Sequence, residues 1–292
     1  MQKVAGNLED YEEKRKKVSK FNLTSDVFFS KVMEDKEACQ EVIQIFTSEL
    51  LLVKTVKSQY SIRNIENHSV VLDVLAEDQN GCMMNVEIHC QEDEDHVRRG
   101  RYYISSIDMS ILEKGIPYEE ISEVYLIYIT DQDFIGKKRG INVVDRVVRG
   151  EEVLLDNGIH EFYVNLKGGS VTPEQRELLD FIKNSKSGHK TKVFPNLARR
   201  VTMFKEEREG IEIMCEIMAR ERAEGKMEGK IEGGLIKIIA LVRKKHQKGN
   251  TPEQIADALE LDAEYVSNIM NMIDELHESD EEIAMKLLGE NA

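Results

Sequence analysis

Residues 70–91, VVLDVLAEDQNGCMMNVEIHCQ, constrain the fold more than any other stretch of the chain. Asn80 followed by Gly81 is a strong hairpin signal, because glycine adopts the left-handed backbone of a tight turn without steric cost. Polar and apolar residues alternate after the turn. Met84, Val86, Ile88 and Cys90 point one way, and Asn85, Glu87, His89 and Gln91 the other, which is the period of a strand. With a three-residue turn of Gln79, Asn80 and Gly81, Asp78 faces Cys82. Counting back along both strands then sets Asp73 opposite Glu87.

Directly opposed residues have Cβ atoms roughly 4.5–5.5 Å apart. Two carboxylates that close repel unless a proton or a cation lies between them. A divalent cation is the natural partner, since Mg²⁺ prefers one or two carboxylates completed by waters and phosphate oxygens. Asp73 and Glu87 could therefore hold a divalent metal that activates water and stabilises charge on a phosphodiester. His89 shares the face of Glu87 and could orient or deprotonate the attacking water, or contact a phosphate. The ordinary alternative is the exposed polar face of a hairpin at a sheet edge.

The rest of the chain sets bounds on this reading. Its 292 residues suit one large domain, or one domain with an appendage, and at 41% apolar and 33% charged it can bury a sizeable core. No run of 18 apolar residues is present, and the charged N-terminus lacks an apolar signal core, so a cytoplasmic protein with no membrane partner is expected. Cys39, Cys82, Cys90 and Cys215 form no CxxC pair, which fits reduced thiols and argues against a structural zinc site. The net charge of −15 argues against indiscriminate nucleic-acid binding. Two local clusters, HVRRGR at 96–101 and GKKRGINVVDRVVRG at 136–150, could still line a basic groove; otherwise they are solvated helix or loop.

Along the chain, residues 23–52 read as one long amphipathic helix. Thr24 or Ser25 is its N-cap, and Phe28, Val32, Ile43, Phe46 and Leu50 form its apolar stripe. Extended segments follow near 60–65, 69–77 and 82–91, then a helix over about 95–114. EVYLIYIT at 123–130 reads as a buried central strand, HEFYVNL at 160–166 as another, and helix dominates from Thr172. Gly225, Gly229 and Gly233 recur every four residues beside Glu224, Glu228 and Glu232. This is a weak helical linker, or alternatively a self-associating helix pair. The last block, TPEQIADALELDAEYVSNIMNMI, has a helix–turn–helix cadence. Thr251 and Pro252 start it, and Ile255, Ala256, Leu259, Leu261, Val266, Ile269 and Ile273 form its core. Its second helix offers Glu264, Tyr265, Ser267 and Asn268 but no Lys or Arg, so packing or oligomerisation is favoured over DNA binding.

Asp73…Glu87-Ile88-His89 resembles the D…(D/E)-x-K core of PD-(D/E)XK nucleases. The wider context, LDVLAEDQNGCMMNVEIHCQ, RGRYYISSID, LEKGIPYEEISEVYLIYIT, GIHEFYVNL and the Glu-Gly repeat, is similar to the bacterial Rpn-type recombination-promoting nucleases, also called PD-(D/E)XK family transposases. The resemblance covers most of residues 20–235. It implies an α/β, restriction-endonuclease-like core, with a mixed central sheet flanked by helices and an α-helical C-terminal extension. It also implies Mg²⁺-dependent DNA cleavage linked to recombination or mobile elements. By position, Asp73 and Glu87 match the family's metal ligands, and His89 stands where the family usually has Gln and the wider superfamily Lys. Arg99, Arg101, Tyr102, Ser105 and Asp108 match the helix after the hairpin. Arg99, Arg101, Tyr102 and Ser105 are thereby candidate DNA contacts, and Arg101, Ser105 and Asp108 fall on about one helical face.

The expected organisation is a nuclease-like core over residues 1–170, a helical extension and linker over 171–234, and a small helical module over 235–292 that could mediate homo-oligomerisation. The expected activity is metal-dependent endonucleolytic hydrolysis, with Asp73, Glu87 and His89 as catalytic residues. The competing expectation is a decayed nuclease fold that only binds DNA or a protein partner, because a neutral imidazole is a poorer cation than Lys.

Overall fold

The computed structural model describes residues 2–63, 69–91, 95–112, 114–276 and 279–290. It divides into two compact units, residues 1–215 and 216–292. The first unit begins with helices α1 (Gln2–Val18), α2 (Asp26–Met33) and α3 (Lys36–Thr47), then strands β1 (Val53–Ile62), β2 (Val70–Asp78) and β3 (Met83–Ile88). Helix α4 (His96–Ile111) leads to β4 (Val124–Thr130), β5 (Ile141–Val144), the short strands β6 (Val147–Val148) and β7 (Val153–Leu154), and β8 (Ile159–Asn165). Helices α5 (Pro173–Lys183) and α6 (Pro195–Glu206) follow, and α7 (Arg208–His246) crosses the boundary between the units.

Six strands form one mixed sheet in the order β1-β2-β3-β4-β8-β5. The β2–β3 hairpin has the register expected from the turn: Val74 pairs with Val86, the Asp78 N–H donates to the Cys82 carbonyl (3.0 Å), and Gly81 takes φ +85°. It is not an edge hairpin. Strand β3 pairs in parallel with β4, which pairs in parallel with β8, so β3 and β4 have neighbours on both sides. Every residue of β4 is buried, as its unbroken apolar run requires. Helix α4 covers one face through Ile104 and Ile107, packed with Leu72, Leu126 and Tyr128. Helices α2 and α3 cover the other, with α5 and α6 stacked behind them.

Three local expectations are corrected. The single helix over 23–52 is two helices, because Asp35 caps α3 by accepting the Ala38 N–H (3.1 Å) and so interrupts the turn before it. Phe28, Val32, Ile43 and Phe46 are buried, but Leu50 lies past the end of α3 and is 81% exposed. Residues 136–150, expected as the lining of a basic groove or otherwise as solvated helix or loop, are mostly exposed but also contain β5, an edge strand antiparallel to β8, and β6, which among the described residues pairs with β7. The extended segment near 60–65 is strand as far as Ile62; positions 64 and 65, like position 113 at the end of the 95–114 helix, lie outside the described residues.

In the second unit, α8 (Pro252–Leu259), α9 (Ala263–Leu276) and α10 (Asp280–Glu290) share a core with the end of α7. Thr251 and Gln254 form a reciprocal capping box at the start of α8, with Pro252 at the first helical position. Ile255, Ala256, Val266, Ile269 and Ile273 are buried with Ile239, Val242, Ile283 and Leu287; Leu259 and Leu261 are partly buried against them. The glycines at 225, 229 and 233 lie in an exposed stretch of α7.

Candidate active site

The ladder between β2 and β3 stops at Val74 and Val86, and the two candidate carboxylates occupy the next position. They interlock. The Ile88 N–H donates to Asp73 Oδ2 (3.0 Å), and the Asp73 N–H donates to Glu87 Oε1 (3.2 Å). At Ile88 a side-chain oxygen thus takes the N–H that a further ladder pair would have used. The strands are held at this point by the same groups that could hold a cation.

Glu87 is 4% exposed and Asp73 is half-buried, so this is not a solvated polar face. Burial is the main reason that the Asp73 carboxyl is raised from its ordinary 3.8 to about 6; the Ile88 N–H offsets this in part, and the Asp26 carboxylate adds to it. Glu87 is raised well above its ordinary range, first by burial and then by the Asp73 charge, against the pull of the Asp73 N–H and of Arg99. Both groups resist ionisation in a dry setting next to another negative charge, and a divalent cation between them relieves both causes. Hard carboxylate oxygens suit Mg²⁺ or Mn²⁺. Among the described residues no group of three or more His, Cys, Asp or Glu side chains could cage a metal.

The neighbours of the pair come from three elements. From α4, Arg99 lowers the Glu87 carboxyl, and the Tyr103 hydroxyl is raised by burial and by the Glu87 charge. Arg101, Tyr102 and Ser105 lie on the exposed surface of α4, with Ser105 Oγ donating to the Arg101 carbonyl (2.9 Å). Asp108, expected on the same face, is half-buried, and burial raises its carboxyl. From β1, Gln59 Nε2 donates to Asp73 Oδ1 (3.3 Å). From the first turn of α2, Asp26 brings a third negative charge toward Asp73. Neither Gln59 nor Asp26 stands out in the sequence. Asp26 follows a plausible N-cap and reads as an ordinary first-turn acid, and no local spacing ties either residue to the hairpin.

His89 follows β3, two residues beyond Glu87, and its N–H donates to the Ile129 carbonyl (2.8 Å). Its half-buried ring lies 5.9 Å from that of His96, edge to face, and 6.4 Å from that of Tyr128. Buried His96 is itself fixed by the Tyr128 hydroxyl and Gln132 Oε1, each at 3.2 Å, and stacks on Phe134 at 4.8 Å. The imidazole of His89 thus rests on an aromatic wall that limits its rotation.

A mixed sheet flanked by helices, with an acidic pair where an antiparallel hairpin meets a parallel strand, defines an α/β fold of the PD-(D/E)XK nuclease type. The family model for PD-(D/E)XK nuclease family transposases matches residues 27–229, and the chain belongs to that family. No curated protein and no solved structure matches the chain.

Proposed function

We propose that the protein is a metal-dependent DNA endonuclease that hydrolyses phosphodiester bonds, with a role in recombination or in the movement of mobile elements. The observation that carries this reading is the interlocked pair itself. Two carboxylates with raised proton affinity, each anchored by the other strand's backbone, are a preorganised site for one divalent cation. Family membership supports DNA as the substrate class.

In this reading Asp73 and Glu87 would hold Mg²⁺ or Mn²⁺, which would supply positive charge to offset the charge that develops during phosphodiester hydrolysis. Water oxygen bonds to phosphorus, the bond to the leaving sugar oxygen breaks, and that oxygen takes up a proton from solvent. His89, steadied by His96 and Tyr128, orients the water and accepts its proton. Arg99 offsets the charge of Glu87, and Arg101, Tyr102 and Ser105 on the outer surface of α4 contact the DNA backbone. The test is nicking of supercoiled plasmid by purified protein in Mg²⁺, in Mn²⁺ and in chelator. Cleavage that needs the metal is expected. DNA binding at low salt with no cleavage under any metal would instead identify a decayed nuclease that acts as a binding module.

A further inference from the structure

Gln59 sits in the middle of β1 with φ +47°, in the left-handed region that a residue with a Cβ avoids. On either side of it the β1–β2 ladder is regular: Ser58 pairs with Val74 and Tyr60 with Leu72. The register is the same before and after, yet the pair it demands between them, Gln59 with Asp73, is not a ladder pair. The side chains show what happens there. Residues three apart on a regular strand point to opposite faces. Lys57 Nζ nevertheless lies 4.7 Å over the Tyr60 ring, and Leu72 and Leu75 join the same apolar cluster under α4. Both strands change face at one point without slipping in register.

That point is where the Asp73 carboxyl leaves the normal up-or-down orientation of a strand side chain. It lies along the sheet, toward the Ile88 N–H of the neighbouring strand. The Gln59 amide closes the arrangement: Nε2 donates to Ser30 Oγ on α2 (2.8 Å) and to Asp73 Oδ1 (3.3 Å). Backbone strain at a non-glycine residue persists only where its surroundings enforce it, and such strain collects at functional sites.

We propose that Gln59 is a positioning residue: its left-handed backbone and its bridging amide turn the Asp73 carboxyl into the plane of the sheet, where it meets Glu87 to form a cation site. The inference rests on the reading of Asp73 and Glu87 as cation ligands. It is tested by calorimetric titration of Mn²⁺ into the full-length protein without DNA, for wild type, Gln59→Gly and Gln59→Val. Glycine keeps the left-handed backbone and removes the amide. Valine removes the amide and, being β-branched, opposes the left-handed backbone as well. Removing groups that orient a metal ligand weakens metal affinity by about 10–100-fold. Gln59→Gly should lie near the lower end of that range and Gln59→Val near the upper end. A merely structural role would lower the urea midpoint and leave Mn²⁺ affinity unchanged. Gln59→Gly is tolerated by the backbone, so it decides the matter if Gln59→Val fails to fold. Affinities within about twofold of wild type would overturn the proposal while leaving the cation site in place. A wild-type protein that binds no Mn²⁺ would overturn both.

Discussion

Replacing Asp73 by Asn should abolish cleavage and, in the absence of metal, make the protein more stable. Burial and the Asp26 charge hold the Asp73 carboxyl at about 6 against an ordinary 3.8, and at about 1.4 kcal/mol per pH unit ionising it in the folded state at pH 7.5 costs about 3 kcal/mol. Asparagine keeps an oxygen for the Ile88 N–H and carries no charge, so most of that cost disappears. It also removes the charge that disfavours ionised Glu87. The sign follows from the raised value. The folded protein retains a proton that the unfolded chain releases, so this stabilising contribution is complete below about 4 and lost as pH rises through about 6. The advantage of Asp73→Asn should therefore be about 2–3 kcal/mol at pH 7.5 and about half that at pH 5. Urea unfolding of both proteins in chelator at the two pH values measures it. Saturating Mn²⁺ should reverse the order, because a ligand bound only by the native wild type adds stability as its concentration exceeds its dissociation constant. Equal stability at pH 7.5, or an advantage that does not shrink at pH 5, would refute the argument that burial and charge crowding strain this pair.

Further predictions concern the shell of the site and the scaffold. Arg99→Ala should raise the Glu87 carboxyl further and weaken Mn²⁺ binding about tenfold in calorimetry. Arg101→Ala should leave metal binding unchanged, weaken DNA binding, and reduce the slope of log affinity against log salt by about one. Gly168→Ala should destabilise by about 2–4 kcal/mol in urea unfolding, since a Cβ there would meet the Arg139 carbonyl carbon and oxygen and the Gly140 nitrogen well inside contact distance. The triple change of Gly225, Gly229 and Gly233 to Ala meets nothing within 4 Å. It should raise helical circular dichroism and add up to about 1 kcal/mol per site; a drop in oligomer mass by light scattering would instead reveal a helix pair built on those glycines.

The hairpin register was legible because it is a local property. Asn80 and Gly81 set the turn, the period of two sets the facing, and counting from Asp78 opposite Cys82 reaches Asp73 opposite Glu87. The burial of that face was not legible. It depends on β3 pairing with β4, which follows α4 in the chain, and on α4 bringing Arg99 and Tyr103 within electrostatic reach of Glu87, none of which leaves a mark in the strand's own alternation. The break at Asp35 was hidden because the apolar spacing continues across it, so that periodicity outweighed a capping signal. Gln59 and Asp26 act on Asp73 through strand pairing and helix packing over long sequence separations, and neither residue type announces such a role. Strand β5 lay in a stretch whose basic residues suggested surface, although the Ile141-Asn142-Val143-Val144 core has strand character.

The central claim is that Asp73 and Glu87 hold the cation that hydrolysis requires. The most direct test is the single-turnover cleavage rate of Glu87→Gln beside wild type in saturating Mg²⁺, with circular dichroism confirming that both are folded. Glutamine keeps the size of the side chain and an oxygen for the Asp73 N–H, and removes only the charge. The account predicts a rate at least about a thousandfold below wild type, roughly 4 kcal/mol of lost transition-state stabilisation. Cleavage by folded Glu87→Gln at the wild-type rate, with the same metal dependence, would contradict it.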